Sequence, residues 1–562
     1  MIKKRYFLPL LAALALSSCS SEDNVINNEP ENKDLSYVAV NIVQPKSVGS
    51  RADADNQFQN GTDDENYASD ALFFIFDKDG NSLDGNVTAQ RVKLTKGTDV
   101  PTSPKVEVVY NAVLVINGQK EKPKEDIQIV CVLNAPTNAE GEPLETGITT
   151  LSQLEEKVAD YSAHEKGTFI MTNSVYKEDG AKVLGAMVTS EYLFENATQA
   201  LAKPVEIYVE RVVAKIKTTV SPEFQNLGAT ITVDGVSMKL KIAVKGISLV
   251  NVSDKAYLFK SISGFENDAK FTNWVWDTTN KRSYWETMPA GINYTNQNYD
   301  EISLKAFEPG KALTDQYILP NTSQTDKTAI LVTAQLTDDK DQPYEFVYLR
   351  GFYCSPDNAK NLIATSVAAE GYWKKAADGT LSSIQPDDFV WKNNIDLVED
   401  LGKDATEEQK AAARIDYLKS YEVVARVNPE LTIVTRDNNG NEVASSPEKV
   451  NEFLAGNATN HPYVARYYKD GMCTYFVNID QTPVAQDRYD TTIADKTFEG
   501  VVRNHIYELT INSIQGIGTP VFDPKDPIVP DTPDDEHLWF LSARINVLKW
   551  RIVKQNVDFT GK

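Results

Sequence analysis

Near the end of the chain, Leu541, Ala543, Ile545 and Val547 alternate with Ser542, Arg544 and Asn546. A period of two predicts a β-strand with one apolar face. The phase slips at Leu548, after which Trp550 and Ile552 continue the apolar row. Ahead of this strand, the acidic run from Pro520 to Asp535 carries Pro524, Pro527, Pro530 and Pro533 and predicts a semi-rigid tether. A lone strand leaves its backbone groups unpaired and is unstable in water. It must therefore join a sheet, either its own or another molecule's. A second strand, Leu35 to Val43, stands near the start. It places Val38, Val40 and Ile42 on one face and Tyr37, Ala39, Asn41 and Val43 on the other, and Pro45 ends it.

Between these two, strands outnumber helices. Ala71–Phe76, Val106–Val115, Ile127–Leu133, Thr168–Thr172 and Val205–Val220 read as strands, as do Met238–Val250, Ala256–Phe259, Ala329–Leu336, Tyr344–Tyr353 and Val501–Ile514. Hairpin turns are predicted at Asp77-Lys78-Asp79-Gly80 and at Asp437-Asn438-Asn439-Gly440. Thr150 and Gln153 have capping-box spacing, with Leu151, Leu154, Val158 and Tyr161 on one helical face. Thr406 and Gln409 repeat the spacing ahead of a helix to Leu418 that turns Ala411, Ile415 and Leu418 inward. The expectation is an all-β chain with minor helices, built as β-sandwiches. Phe265 to Tyr299 is rich in aromatics, including Phe271, Trp274, Trp276, Tyr284 and Trp285. These either pin a long loop to its own domain or form an exposed stacking platform.

With 562 residues and 41% hydrophobic content, two or more domains with sizeable cores can form. The net charge of −23 argues against nucleic acid and anionic lipid as partners and suits an extracellular surface. Cys19, Cys131, Cys354 and Cys473 show no metal-ligand spacing, and the four histidines are scattered. No cofactor or metal is expected. Of the three cysteines after Cys19, at least one is expected to be a buried thiol, and a Cys354–Cys473 bridge is open. No phosphate-binding loop, zinc-protease helix or serine-hydrolase elbow occurs, and Gly516-Ile517-Gly518 lacks a third glycine and a following helix. No residue stands out as a nucleophile, and paired carboxylates cannot be picked out among 80 acidic residues, which leaves a glycosidase neither supported nor excluded; the expectation is that the chain is not an enzyme.

Lys3, Lys4 and Arg5 precede an apolar run, Tyr6 to Leu16, that is too short to span a bilayer, so residues 1–18 read as a secretory signal. Leu16-Ser17-Ser18-Cys19 resembles a bacterial lipobox, which implies cleavage before Cys19 and acylation of Cys19. Several acyl chains would anchor the precursor in a membrane. Ser20 to Asp34 would be a flexible leash, and its Ser21-Glu22-Asp23 is similar to acidic surface-export signals. After the first strand, residues 52–70 are acidic with no basic residue, predicting a solvated, mobile stretch open to proteolysis. A trypsin-like enzyme would cut after Arg51, before Ala52, with Lys46 as competitor.

Several runs together carry a resemblance. They are Val132-Leu133-Asn134-Ala135-Pro136, Phe169-Ile170-Met171-Thr172-Asn173, Glu210-Arg211-Val212-Val213-Ala214-Lys215-Ile216 and Tyr317-Ile318-Leu319-Pro320-Asn321-Thr322. Val502-Arg503-Asn504-His505-Ile506-Tyr507, Gly516-Ile517-Gly518 and Val547-Leu548-Lys549-Trp550 complete the set. The chain resembles Bacteroidales fimbrillins, most of all those forming the shaft of the minor (Mfa-type) fimbrium. The resemblance implies two transthyretin-like β-sandwich domains and type V pilus assembly. In that mechanism a lipoprotein precursor loses its first strand to an Arg-specific protease, here after Arg51, and the vacated groove accepts a strand from another subunit. The implied division is signal 1–18, lipidated propeptide 19–51, N-terminal sandwich 52–217, C-terminal sandwich 218–514, tether 515–537 and donor strand 538–562. The displaced strand would use Val38, Val40 and Ile42; the donor would use Leu541, Ala543, Ile545, Val547, Trp550 and Ile552. Implied partners are identical subunits head-to-tail, fimbrial tip and anchor proteins, the protease, and the outer membrane before cleavage. Two alternatives are a surface-anchored glycan-binding lipoprotein, with the aromatic tract as platform and the tail folded back, and a fimbrial tip subunit. A lipid-anchored hydrolase is a further class, without a motif.

Overall fold

Ala71 to Phe76 are six consecutive apolar residues, and all six are buried. A strand buried on both faces lies inside layered sheets rather than over one core. The structure, a computed structural model, describes residues 36–44, 59–83, 89–97, 108–116, 125–135, 147–160, 168–265, 271, 274–279, 281–302, 307–312, 316–481, 498–530, 540–549 and 553–554. Cys19, Arg51, Ala52, Trp550 and Ile552 lie outside the described residues, as do the signal and the leash.

The first part of the chain contributes β1 (Ser36–Gln44), β2 (Asp70–Asp77), β3 (Val108–Ile116), β4 (Ile127–Leu133), β5 (Met171–Asn173) and β6 (Val205–Arg211). They pair in the order β2-β4-β5-β6-β1-β3, with the short strand Gln90–Lys93 outside β2. β6 serves two neighbours in turn: Val205 to Tyr208 pair with β1, and Val209 to Arg211 pair with β5. That switch folds the two sets of strands over a shared core containing Val38, Phe73, Leu114, Val130 and Ile207.

The second part is built on β7 (Ala214–Val233), β8 (Val236–Val250), β9 (Gln316–Ile318), β10 (Ala329–Thr337), β11 (Met472–Asn478), β12 (His505–Gln515) and β13 (Phe540–Lys549). The run expected as one strand over 205–220 is therefore two, broken after Arg211. β7 pairs parallel with β12 from Lys215 to Gly228, with two shifts in register, and, at its start, antiparallel with β9; its last residues pair with β8. β8 passes on to β10, and β10 to β11. Val158–Asp160 pairs with Lys255–Tyr257, tying the first part to the second.

Inserted in the second part is a lobe with its own core, including Val347, Ile363, Phe389, Val424, Val450 and Ala465. Its longest helix, Pro356–Ala369, has Ser355 as N-cap with Pro356 at the first position. The helix is absent from the sequence-based expectation. Other differences are local. Tyr344–Tyr353 is a hairpin, Phe346–Leu349 and Phe352–Cys354, turning at Arg350 and Gly351, both with positive φ. The Thr150 capping box forms, but its helix stops at Glu155 and Val158 starts a strand, because that strand has a partner to pair with. The Thr406 capping box also forms, and the helix ends at Ala413. Ile415 and Leu418 are buried beyond its end, while Ala411 is exposed. Both expected hairpin turns are present: the Asp77 and Asp437 carboxylates each accept from the N–H groups two and four residues on.

Candidate functional site

β1 is an interior strand. It pairs parallel with β6 from Val40 opposite Val205 to Val43 opposite Tyr208, and antiparallel with β3 from Ser36 opposite Ile116 to Gln44 opposite Val108. Val38, Val40 and Ile42 are fully buried, on the face the alternation predicts. Ala39 is buried as well, on the other face, against Ala200 of the helix Ala197–Ala202. Among the described residues β6 and β3 do not pair with each other, so β1 alone joins their backbones into one sheet. Burying three large aliphatic side chains contributes about 5–9 kcal/mol at most.

β13 pairs antiparallel with β12, from Phe540 opposite Gln515 to Lys549 opposite His505. Leu541, Ala543, Ile545 and Val547 stand at register positions opposite Ile514, Ile511, Leu509 and Tyr507, and one shift in register passes Asn512. β13 has β12 along its whole length on one side; on the other, among the described residues, only Val553–Lys554 pairs with Asn546 and Val547. In this chain the terminal strand thus sits on its own sheet, at an edge, while the β1 position has a neighbour on each side.

The expected tether is docked for much of its length. Thr519–Pro520 pairs with β11, and Asp300 N–H donates to the Pro524 carbonyl at 3.1 Å. Ile528 N–H donates to the Gln297 carbonyl at 3.1 Å, and Asn393 Nδ2 donates to Asp526 Oδ2 at 2.6 Å. The prolines leave few donors of its own, so the run is held through its carbonyls, one side chain and a few N–H groups.

The stretch after Arg51 also differs from expectation. Glu65 lies in the acidic run expected to be solvated, yet it is 1% exposed. Lys215 Nζ donates to Glu65 Oε1 at 2.7 Å, and the Tyr317 hydroxyl donates to the same oxygen. Burial pushes the Glu65 carboxyl up, but the bonds from Lys215, Tyr317 and the Thr62 N–H outweigh it and hold the group below the ordinary carboxylate range. An acidic run carries no mark of which carboxylate finds a buried partner 150 residues away.

The aromatic tract is internal. Phe265, Phe271, Trp274, Tyr284 and Trp285 are buried, and Trp274 and Phe498 meet edge to face at 4.7 Å. A sugar platform needs open ring faces, and these rings face one another. Cys131, Cys354 and Cys473 are free thiols, the first and last buried, so the Cys354–Cys473 bridge is not formed. Among the described residues no group of three His, Cys, Asp or Glu side chains is placed to hold a metal.

Residues 466–556, which span β11, β12 and β13, match the family described as major fimbrial subunit protein type IV, fimbrillin, C-terminal. This part of the chain is thus similar to the C-terminal region of fimbrillins, which that description calls fimbrial subunits, in line with the resemblance carried by the sequence. No curated protein matches the chain. Among solved structures, a proposed cell adhesion protein from Parabacteroides distasonis is 11% identical, covers 93% of this chain and 98% of its own, and has a TM-score of 0.39. The C-terminally truncated tip fimbrial protein of Porphyromonas gingivalis is 10% identical, covers 92% and 99%, and has a TM-score of 0.31. A fimbrial assembly protein from Parabacteroides distasonis is 13% identical over 54% of this chain and 97% of its own, with a TM-score of 0.25. At these scores the likeness carries no functional weight.

Proposed function

We propose that this chain, whose residues 466–556 match the fimbrillin C-terminal family, is a structural shaft subunit of a cell-surface fimbrium supporting adhesion and biofilm formation. It is exported as an outer-membrane lipoprotein acylated at Cys19, cut after Arg51, and polymerised head-to-tail by donor-strand exchange. The observation that carries this reading is the interior position of β1. Losing an interior strand leaves two facing rows of unpaired backbone groups, which cost free energy until another strand fills them. β13 suits such a slot, because it is apolar at alternate positions and, among the described residues, has a sheet neighbour along its whole length on one side only. Moving from an edge to a two-sided slot adds ladder hydrogen bonds, each contributing about 0.5–1.5 kcal/mol net.

While the chain is whole, β1 competes at an effective concentration in the millimolar range or above, and it keeps the slot. Joining two molecules costs about 4–15 kcal/mol, comparable with what the slot returns, so an incoming strand has no decisive surplus. Hydrolysis after Arg51 removes the tethering advantage and lets β1 leave with the lipid. One subunit's strand then fills the next subunit's slot, a non-closing contact that builds a filament. The docking of residues 519–528 supports a fixed exit point for the donor, leaving the residues beyond Val529 to span the gap.

Limited trypsin treatment of purified precursor tests the reading. SDS-resistant ladders are expected from the parent, and none from Arg51→Ala with Lys46→Ala, or from a chain lacking 538–562. A cut parent that stays monomeric would overturn it.

A further inference from the structure

Asn66 ties together the two walls of the β1 slot without β1 taking part. On the β3 side, the Tyr110 hydroxyl donates to the Asn66 carbonyl at 2.8 Å and accepts from the Ala68 N–H at 3.1 Å. On the β6 side, Arg211, the last residue of that strand, donates through Nη2 to Asn66 Oδ1 and through Nε to the Glu65 carbonyl at 2.9 Å. Arg211 Nη1 also donates to Asn504 Oδ1 at 3.0 Å, just ahead of β12. All three members of the tie are buried: Asn66 at 7%, Tyr110 at 5% and Arg211 at 4% exposure. Gly61 lies against the tie: an added Cβ there would come within 2.8 Å of the side-chain ends Arg211 Nη2 and Asn66 Oδ1.

The tie has a definite place along the slot. Tyr110 stands opposite Ile42, and Ile42 opposite Ile207, while Arg211 lies beyond the last β1–β6 pair, Val43 with Tyr208. It therefore crosses near the C-terminal end of β1, where the chain leaves toward the cleavage segment. Adjacent strands are about 4.8 Å apart, so an empty slot needs its walls held near twice that spacing. Facing rows of unpaired N–H and C=O groups otherwise gain by closing on each other or splaying.

We propose that the Arg211–Asn66–Tyr110 tie is a spacer that keeps β6 and β3 one strand apart once β1 has gone. These three are positioning residues for whichever strand inserts next, and the inference rests on the reading that the slot is vacated. A slot held at width spares the inserting strand the cost of ordering its walls, so the tie acts on the rate of insertion.

The test uses the full-length chain with a site-specific protease sequence placed between residues 45 and 58. The chain is nicked, stripped of β1 in urea short of global unfolding, and mixed with a fluorescent peptide of residues 34–46. Reinsertion of β1 needs no second subunit, so it probes the spacer separately from strand exchange. Tyr110→Phe, which removes one oxygen, and Asn66→Ala are each expected to slow reinsertion about tenfold, the equivalent of one hydrogen bond of about 1.4 kcal/mol. Asn66→Asp keeps the acceptor for Arg211 but loses the Nδ2 bond that Asn66 donates to the Gly61 carbonyl at 3.2 Å, so it is expected to recover part of the rate lost in Asn66→Ala. The uncut variants should lose less stability than the cut ones, because β1 then holds both walls. Parental reinsertion rates in Tyr110→Phe, or equal destabilisation of cut and uncut forms, would overturn the spacer. If residues 34–46 reinsert with the expected rates but a peptide of residues 538–554 never does, the spacer stands and the donor reading fails.

Discussion

Arg503 and Glu286 meet through three nitrogens. The Arg503 N–H donates to Glu286 Oε1 at 2.8 Å, its Nε to Oε2 at 2.8 Å, and its Nη2 lies 2.7 Å from Oε2, with both residues at 1% exposure or less. The remaining guanidinium donors reach the carbonyls of Leu258 at 2.9 Å and Tyr257 at 2.7 Å. This pair fixes the start of β12, the strand that carries β13. Removing one partner strands a buried charge. Glu286→Gln is expected to cost about 3–5 kcal/mol in urea unfolding. The double change Arg503→Met with Glu286→Leu should cost less than half as much, since no charge is then left behind.

Glu65 gives a pH dependence with a definite sign. Its folded pKa lies below the ordinary 4.5, so its contribution is present above that value and is lost as pH falls through the folded value. Glu65→Gln should therefore destabilise the chain by about 3 kcal/mol at pH 7, where it leaves Lys215 buried without its counter-charge. At pH 3 the gap between the two unfolding midpoints should narrow.

Asp526 has the opposite sign. Burial pushes its carboxyl up, and Asp523, Asp396 and Glu399 add to that, against the bond from Asn393. A raised folded pKa gives stability that is full below the unfolded value and lost as pH rises through the folded value. Asp526→Asn should tighten the docked run at pH 7, by less than about 1 kcal/mol given its partial exposure. Slower hydrogen exchange over residues 519–529 reads this out, and the advantage should vanish near pH 4.

The three described cysteines should behave as inert thiols. Burial pushes the Cys473 thiol up to about 12 and that of Cys354 to about 11, and raises that of Cys131. Native protein is expected to resist maleimide at pH 7, to run alike with and without reductant, and to take up label at all three positions once unfolded.

The legible parts of the sequence were those with local causes. The two-residue period of β1 announced the burial of Val38, Val40 and Ile42, and the Thr150 and Thr406 capping boxes marked where two helices start. Where those helices stop was not legible, because Val158 answers to a distant strand rather than to its own turn. The lobe around Ile363 and Val424 was legible only in pieces, the Thr406 helix start and the Asp437 hairpin, because its short strands and helices alternate too quickly for one period to dominate. Around the slot, the strand itself could be read but its walls could not. Asn66 and Tyr110 are 44 residues apart, and Arg211 and Asn66 are 145 apart. Nothing in the acidic run around Glu65 distinguishes a buried clamp from a solvated loop until the partners are in place.

The most direct measurement is the identity of the strand lying between β6 and β3 in assembled fibres, read by high-resolution electron cryomicroscopy. Donor-strand exchange predicts residues 540–549 of a neighbouring subunit in that position, with residues 36–44 gone from the fibre. Fibres that keep residues 36–44 there, or that fill the position with their own residues 540–549, would contradict it.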